Sequence, residues 1–163
     1  MGRVATRTLV LIRHAKSDWS GQYADEDRPL ARRGLRQASE AGVWLARSGL
    51  AVAAAVVSPA QRARSTWDLV AAELSYDVPT DLDEGSYTFA GADLLRVVRR
   101  LDDADECVVV VGHNPAMEQL VSALTGEWVP MPTSAIAVIE WTGGWRRAGR
   151  VLARLVTWGR PPT

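Results

Sequence analysis

Three short apolar runs, Thr8 to Ile12, Val52 to Val57 and Val108 to Val111, constrain the fold of this chain more than any other feature. Each is too short for a core helix and rich in β-branched residues, so each reads as a strand buried on both faces. Segments of helical periodicity lie between them. Leu35, Ala38, Gly42 and Leu45 recur at three- and four-residue spacing, with Gly49 as a stop. Ser58-Pro59 opens a second helix, serine as N-cap and proline in the first helical position, running to about Leu74. Leu94, Val97, Val98 and Leu101 mark a third helical face after an irregular stretch, Pro79 to Ala90. Asn114 as N-cap and Pro115 in the first position open a fourth, carrying Met117, Leu120, Val121 and Leu124. Ala135 to Trp141 and Val151 to Trp158, around Gly143-Gly144, read as two further strands able to form a hairpin. The alternation predicts an α/β fold, a three-layer sandwich with a mostly parallel central sheet flanked by helices. With no repeat and no internal linker, residues 1–163 read as one domain.

Composition narrows what such a fold can do. Lys plus Arg equals Asp plus Glu at 19 each, so no overall field gathers nucleic acid or an acidic membrane, and any anion specificity must be local. Cys107 is the one cysteine and sits beside a buried strand, where it reads as a small hydrophobe; without a disulfide framework the chain suits a reducing compartment. Met1 to Thr8 lacks the apolar stretch of a signal peptide, and no run approaches the roughly 20 residues that span a bilayer. The expected location is cytoplasmic. The acidic cluster Asp102-Asp103 with Asp105-Glu106 has no supporting histidine and reads as a solvated turn. Most of the seven tryptophans read as packing residues; Trp19 is the exception, placed to line the mouth of a pocket.

The chain has two histidines, and each follows a predicted strand directly: His14 after Thr8 to Ile12, His113 after Val108 to Val111. In open α/β sheets ligands collect beyond the carboxyl ends of the strands, so both imidazoles are expected in one crevice. Arg13 precedes His14, and Arg62 lies one turn into the helix that follows Val52 to Val57, so both guanidiniums reach the same edge. Their planar forks match the oxygens of a phosphate, and the helix N-termini after Ser58 and Asn114 add backbone donors. Arg64, Arg32, Arg33, Arg99 and Arg100 read as solvated helix-face residues.

These residues stand in a specific context. Leu11-Ile12-Arg13-His14-Ala15-Lys16-Ser17-Asp18-Trp19 is followed by Arg28-Pro29-Leu30 with Arg33-Gly34, then Ser58-Pro59-Ala60-Gln61-Arg62-Ala63, Val111-Gly112-His113-Asn114-Pro115, and Pro132-Thr133-Ser134-Ala135-Ile136-Ala137. Five segments in this order resemble the histidine phosphatase superfamily, whose fold is phosphoglycerate mutase-like, and within it the small SixA-type phosphohistidine phosphatase branch. The resemblance implies that His14 is a nucleophile forming a covalent phosphohistidine, that Arg13, Arg62 and His113 hold the phosphoryl oxygens, and that no cofactor or metal takes part. It implies as substrate a phosphohistidine-carrying protein. A small phosphomonoester remains the same-fold alternative, and a non-catalytic phosphoprotein-binding module the alternative from another class.

Three features qualify that transfer. Ala15 replaces the usual glycine, and Ser20 stands where mutase-type members place an asparagine, which weakens a mutase reading. The general acid is the loosest match: Glu84, in Asp81-Leu82-Asp83-Glu84, sits near the family's acidic position, with Asp18 as second candidate and an ordinary loop carboxylate as the competing reading. For catalysis His14 must be neutral, whereas His113 is expected to help most as a charged donor beside the bound phosphate. The short interval from Val78 to Cys107 leaves no room for roofing helices, so the site is expected to be open.

Overall fold

A computed structural model describes residues 5–163; of the N-terminal stretch Met1 to Thr8, residues 1–4 lie outside the described residues. The apolar runs form the middle of a six-stranded sheet. Its strands are β1 (Thr6–Arg13), β2 (Ala54–Val57), β3 (Thr80–Leu82), β4 (Cys107–Gly112), β5 (Ile136–Thr142) and β6 (Arg154–Gly159), in the order β3-β2-β4-β1-β5-β6. From β3 to β1 the pairings are parallel, and β5 and β6 add antiparallel. Four helices connect them: α1 (Arg32–Arg47), α2 (Gln61–Ala72), α3 (Gly91–Arg99) and α4 (Ala116–Thr125).

The period-2 geometry of a strand explains why the central runs are apolar throughout. Leu9, Leu11, Val108 and Val110 face one core with Leu94 and Val98 of α3 and Met117, Leu120 and Leu124 of α4. Val10, Ile12, Val109 and Val111 face the other, with Ala41 and Leu45 of α1 and Ala63, Trp67 and Val70 of α2. Both faces are covered, which gives the three layers expected from the sequence.

Several boundaries differ from the sequence reading. β3 lies inside the stretch read as irregular; its three residues are all exposed, so it carries no apolar signature and forms a short, polar-flanked sheet edge. α2 begins at Gln61 rather than at Pro59: the Ser58 hydroxyl faces His113 and accepts from the Ala60 N–H at 3.3 Å, leaving Ala60 as the N-cap. α1 runs as expected to a turn at Gly49, whose left-handed φ of +79° admits glycine readily. Its buried stripe is Gly34, Ala38, Ala41, Gly42 and Leu45, whereas Leu35 points outward. The reason is the close approach of α1 to the loop after β1. A Cβ on Gly34 would lie 2.0 Å from the Lys16 carbonyl oxygen, the same oxygen that accepts from the Ala31 N–H at 2.9 Å.

Gly34→Ala therefore sets two effects against each other. Alanine favours a helix over glycine by about 1 kcal/mol, but overlap with a main-chain carbonyl costs about 1–3 kcal/mol and has no flexible side chain to relieve it. Overlap prevails, so urea denaturation is expected to show net destabilisation, and a variant as stable as wild type contradicts this packing.

Candidate active site

Pairing of β1 with β4 brings the histidines together. Arg13 is registered opposite Gly112, so the next residue of each strand leaves the sheet at the same edge. The His14 N–H donates to the Gly112 carbonyl at 3.0 Å, and the two imidazole centroids are 5.3 Å apart. Ser134 fixes the turn from the other side: held at φ +65°, it donates its N–H to the carbonyls of both Arg13 and His14.

Each ring is locked into one tautomer by its neighbours. His14 Nδ1 lies 2.8 Å from the Ala15 carbonyl, which can only accept, so Nδ1 carries the proton and Nε2 is left with its lone pair. His113 has the opposite arrangement. Arg62 Nη2 faces its Nδ1 at 3.3 Å and can only donate, so the proton sits on Nε2, directed at the Ser58 hydroxyl 2.8 Å away. Burial pulls His14 down to about 3, with repulsion from His113, Arg62 and Arg13 adding to it against the raising effect of the Ala15 carbonyl. Burial and then Arg62 pull His113 down to about 4. Both rings are neutral at pH 7 in the empty pocket, and the charge expected on His113 is one that an anion bound beside it would induce.

Arg62 is 1% exposed and projects from the first turn of α2. One hydroxyl ties that turn to the loop after β1: Thr66 accepts from the Ala15 N–H at 2.9 Å and donates to the Arg62 carbonyl at 2.7 Å. Arg13 is anchored through Nη1 to the Met131 carbonyl at 3.0 Å. The Nε groups of Arg13 and Arg62 are buried and have no hydrogen-bond partner among the described residues. Arg13, His14, Arg62 and His113 line one cavity of about 280 Å³, together with Lys16, Ser17, Trp19, Asp25, Arg28 and Phe89. Four basic side chains face a single carboxylate there, a local positive field inside a chain of zero net charge. A separate, mostly apolar groove over α1, lined by Val43, Trp44 and Pro161, shares no residue with it.

The two acid candidates lie elsewhere. Glu84 is exposed in the short helical turn Glu84–Ser86 and lines a different depression with Arg96 and Arg100. Asp18 does not line the cavity; its carboxylate takes the N–H and hydroxyl of Ser20, which hold it below its ordinary range. The carboxylate that does line the cavity is Asp25, which the sequence reading passed over, as it did Tyr87, Ser58's link to His113 and the Thr66 tether. Arg28 belonged to a recognised motif but had no role assigned; it is almost buried, bonds Ser17 and Asp25, and stacks over Trp19 at 3.7 Å. Trp19 lines the mouth as expected and is 71% exposed. Among the described residues no group of three or more His, Cys, Asp or Glu side chains could hold a metal ion, and no helix is long and apolar enough to cross a membrane.

Two imidazoles and three arginines thus meet in one cavity at the carboxyl edge of the parallel strands of an α/β sheet, an arrangement suited to an oxyanion. Residues 9–88 match the model of the histidine phosphatase superfamily (branch 1). An uncharacterised protein of Mycobacterium tuberculosis is 36% identical over 145 residues, covering 82% of this chain and 89% of that protein. The structure of a proposed phosphohistidine phosphatase SixA from Nakamurella multipartitia superposes with a TM-score of 0.79 at 27% identity, covering 97% of this chain and 98% of its own. One of the same description from Agrobacterium tumefaciens gives 0.81 at 24% identity, covering 94% of this chain and 97% of its own, and adds likeness of fold. The chain belongs to the histidine phosphatase superfamily, in its SixA-type branch, and has the phosphoglycerate mutase-like fold.

The buried neutral rings make stability depend on pH with a definite sign. Both folded values lie below the ordinary imidazole value of about 6.5, so the unfolded chain takes up more protons as pH falls. Stability present above pH 6.5 is lost on acidification, on the order of 2 kcal/mol per histidine between pH 6.5 and 5. Urea denaturation at these two pH values in phosphate-free buffer should show the loss in wild type and a flatter dependence in His14→Asn/His113→Asn. Equal slopes would contradict the buried, uncharged pair.

Proposed function

We infer that this protein is a phosphatase that hydrolyses protein phosphohistidine through a covalent phosphohistidine on His14. The observation that carries the reading is the tautomer of His14: Nδ1–H is held by the Ala15 carbonyl, leaving Nε2 as a neutral nucleophile inside a pocket of cations. In the first step the Nε2 lone pair forms a bond to phosphorus while the bond to the leaving group breaks, and the leaving group departs with that electron pair. Arg13, Arg62 and Arg28, which line the pocket, take the charge spread over the equatorial oxygens. Water then attacks phosphorus, the N–P bond breaks, and inorganic phosphate and free His14 are released. His113 is neutral in the empty pocket, and a dianion bound beside it favours its protonated form, whose Nδ1–H replaces the contact with Arg62.

A P–N substrate is favoured over a P–O one by the distribution of carboxylates. An alkoxide needs a proton from an acid within reach, and neither Glu84 nor Asp18 lines the cavity. A leaving imidazole can already carry its proton. The exposed mouth at Trp19 and Phe89 suits a phosphorylated side chain presented on a protein surface, in the cytoplasm, and the intact nucleophile argues against a silent binding module.

Two measurements test this. Brief incubation with a ³²P-labelled phosphohistidine protein, followed by alkaline denaturation, is expected to leave acid-labile label on wild type and none on His14→Ala. Turnover of the phosphohistidine protein should exceed that of para-nitrophenyl phosphate in kcat/KM; the reverse order would favour a small-molecule phosphomonoesterase.

A further inference from the structure

Arg28 and Arg62 approach the pocket from different elements, and both are almost fully buried. Two buried guanidiniums on one cavity repel each other and lose hydration, so an arrangement of this kind requires a counter-anion that belongs to the fold. Asp25, in the helical turn Asp25–Asp27, meets that requirement. Its Oδ1 accepts from Arg28 Nη2 at 3.0 Å and its Oδ2 from Arg62 Nη2 at 3.0 Å. The Asp25 main-chain carbonyl accepts from Arg62 Nη1 at 2.6 Å, and the Tyr87 hydroxyl donates to Oδ2. One residue thus contacts three donors that arise from the turn before α1, from α2 and from the loop after β3.

We propose that Asp25 is a positioning residue of the phosphoryl pocket, holding Arg62, Arg28 and Tyr87 as one preassembled set of donors around His14. Resting on the phosphatase reading above, the assignment explains how Arg62 is aimed. With Nη1 and Nη2 tied to Asp25 and Nη2 facing His113, its Nε–H remains without a partner, and the guanidinium plane cannot rotate without breaking two bonds to Asp25. The geometry also distinguishes Asp25 from a proton donor. The Tyr87 hydroxyl first, then Arg28 and Arg62, hold the carboxyl well below the usual carboxylate range, so it carries no proton to give.

A positioning anion has a kinetic signature that a purely structural residue lacks. Removing its charge loosens the arginines at the transition state but also removes a negative charge from beside the incoming dianion, so turnover and ground-state phosphate affinity should part company. The test is Asp25→Asn, with Tyr87→Phe as a second variant that weakens the same cluster without touching the carboxylate. Asp25→Asn is expected to lower kcat about 10- to 100-fold, while the dissociation constant of inorganic phosphate, from calorimetry, stays equal or falls. Tyr87→Phe should move kcat the same way by less. Across aryl phosphates of rising leaving-group pKa the loss in Asp25→Asn should be constant.

A dissociation constant that rises in step with the kcat loss makes Asp25 merely structural and overturns the proposal. So does an unchanged kcat, or a loss that grows with leaving-group pKa, which would make Asp25 the acid. If wild type binds phosphate but turns over no phosphorylated substrate, the phosphatase reading fails by itself; the Asp25 assignment is then judged on the phosphate arm, where binding weakened more than tenfold refutes it and binding equal or tighter supports it.

Discussion

The parallel pairing of β1 with β4 is the constraint on which the rest depends. Its register sets Arg13 opposite Gly112, so two strands far apart in sequence release a histidine at the same level of the same edge. A one-residue slip would turn every side chain of β1 to the opposite face, exchanging Val10 and Ile12 with Leu9 and Leu11 between two differently shaped cores. The cores therefore lock the register, and the register sets the ring separation. The geometry of the candidate site is a consequence of strand packing.

Around that pair the structure solves an electrostatic problem before any substrate enters. Four basic side chains line one cavity, and an uncompensated cluster of this kind opposes folding. The fold answers with partners at fixed distances: main-chain carbonyls for Arg13 and Arg62, a carboxylate shared by Arg62 and Arg28, and burial that keeps both imidazoles uncharged. The Thr66 hydroxyl then couples α2 to the loop after β1, so that Arg62 and His14 belong to one hydrogen-bonded unit. Preorganised donors of this type are what an in-line phosphoryl transfer needs from a protein, because little other chemistry is asked of it.

How far the sequence reveals this depends on whether a feature is local. The layered fold was legible because buried parallel strands must be apolar on both faces, and His14, Arg13, His113 and Arg62 were legible because strand ends and first helical turns share one edge. β3 was not, since Thr80, Asp81 and Leu82 are exposed at the sheet margin and share no apolar pattern. The outward turn of Leu35 was hidden because a close approach by Gly34 reads as a missing apolar residue. Asp25 was invisible for a different reason. It lies in Asp25-Glu26-Asp27, which has the composition of any solvated acidic loop, and only tertiary structure brings it to Arg62, at a sequence separation of 37 residues. Glu84 drew attention by proximity to a family position, yet its turn faces a separate depression.

The chain's two histidines permit a direct measurement, since an ¹⁵N–¹H imidazole spectrum contains only their signals. At pH 7 His14 is expected to be protonated on Nδ1 and His113 on Nε2, and titration with inorganic phosphate is expected to shift both rings along one binding isotherm. A His14 ring protonated on Nε2, or two rings that answer phosphate with different affinities, would contradict a single pocket built around a bare imidazole nitrogen.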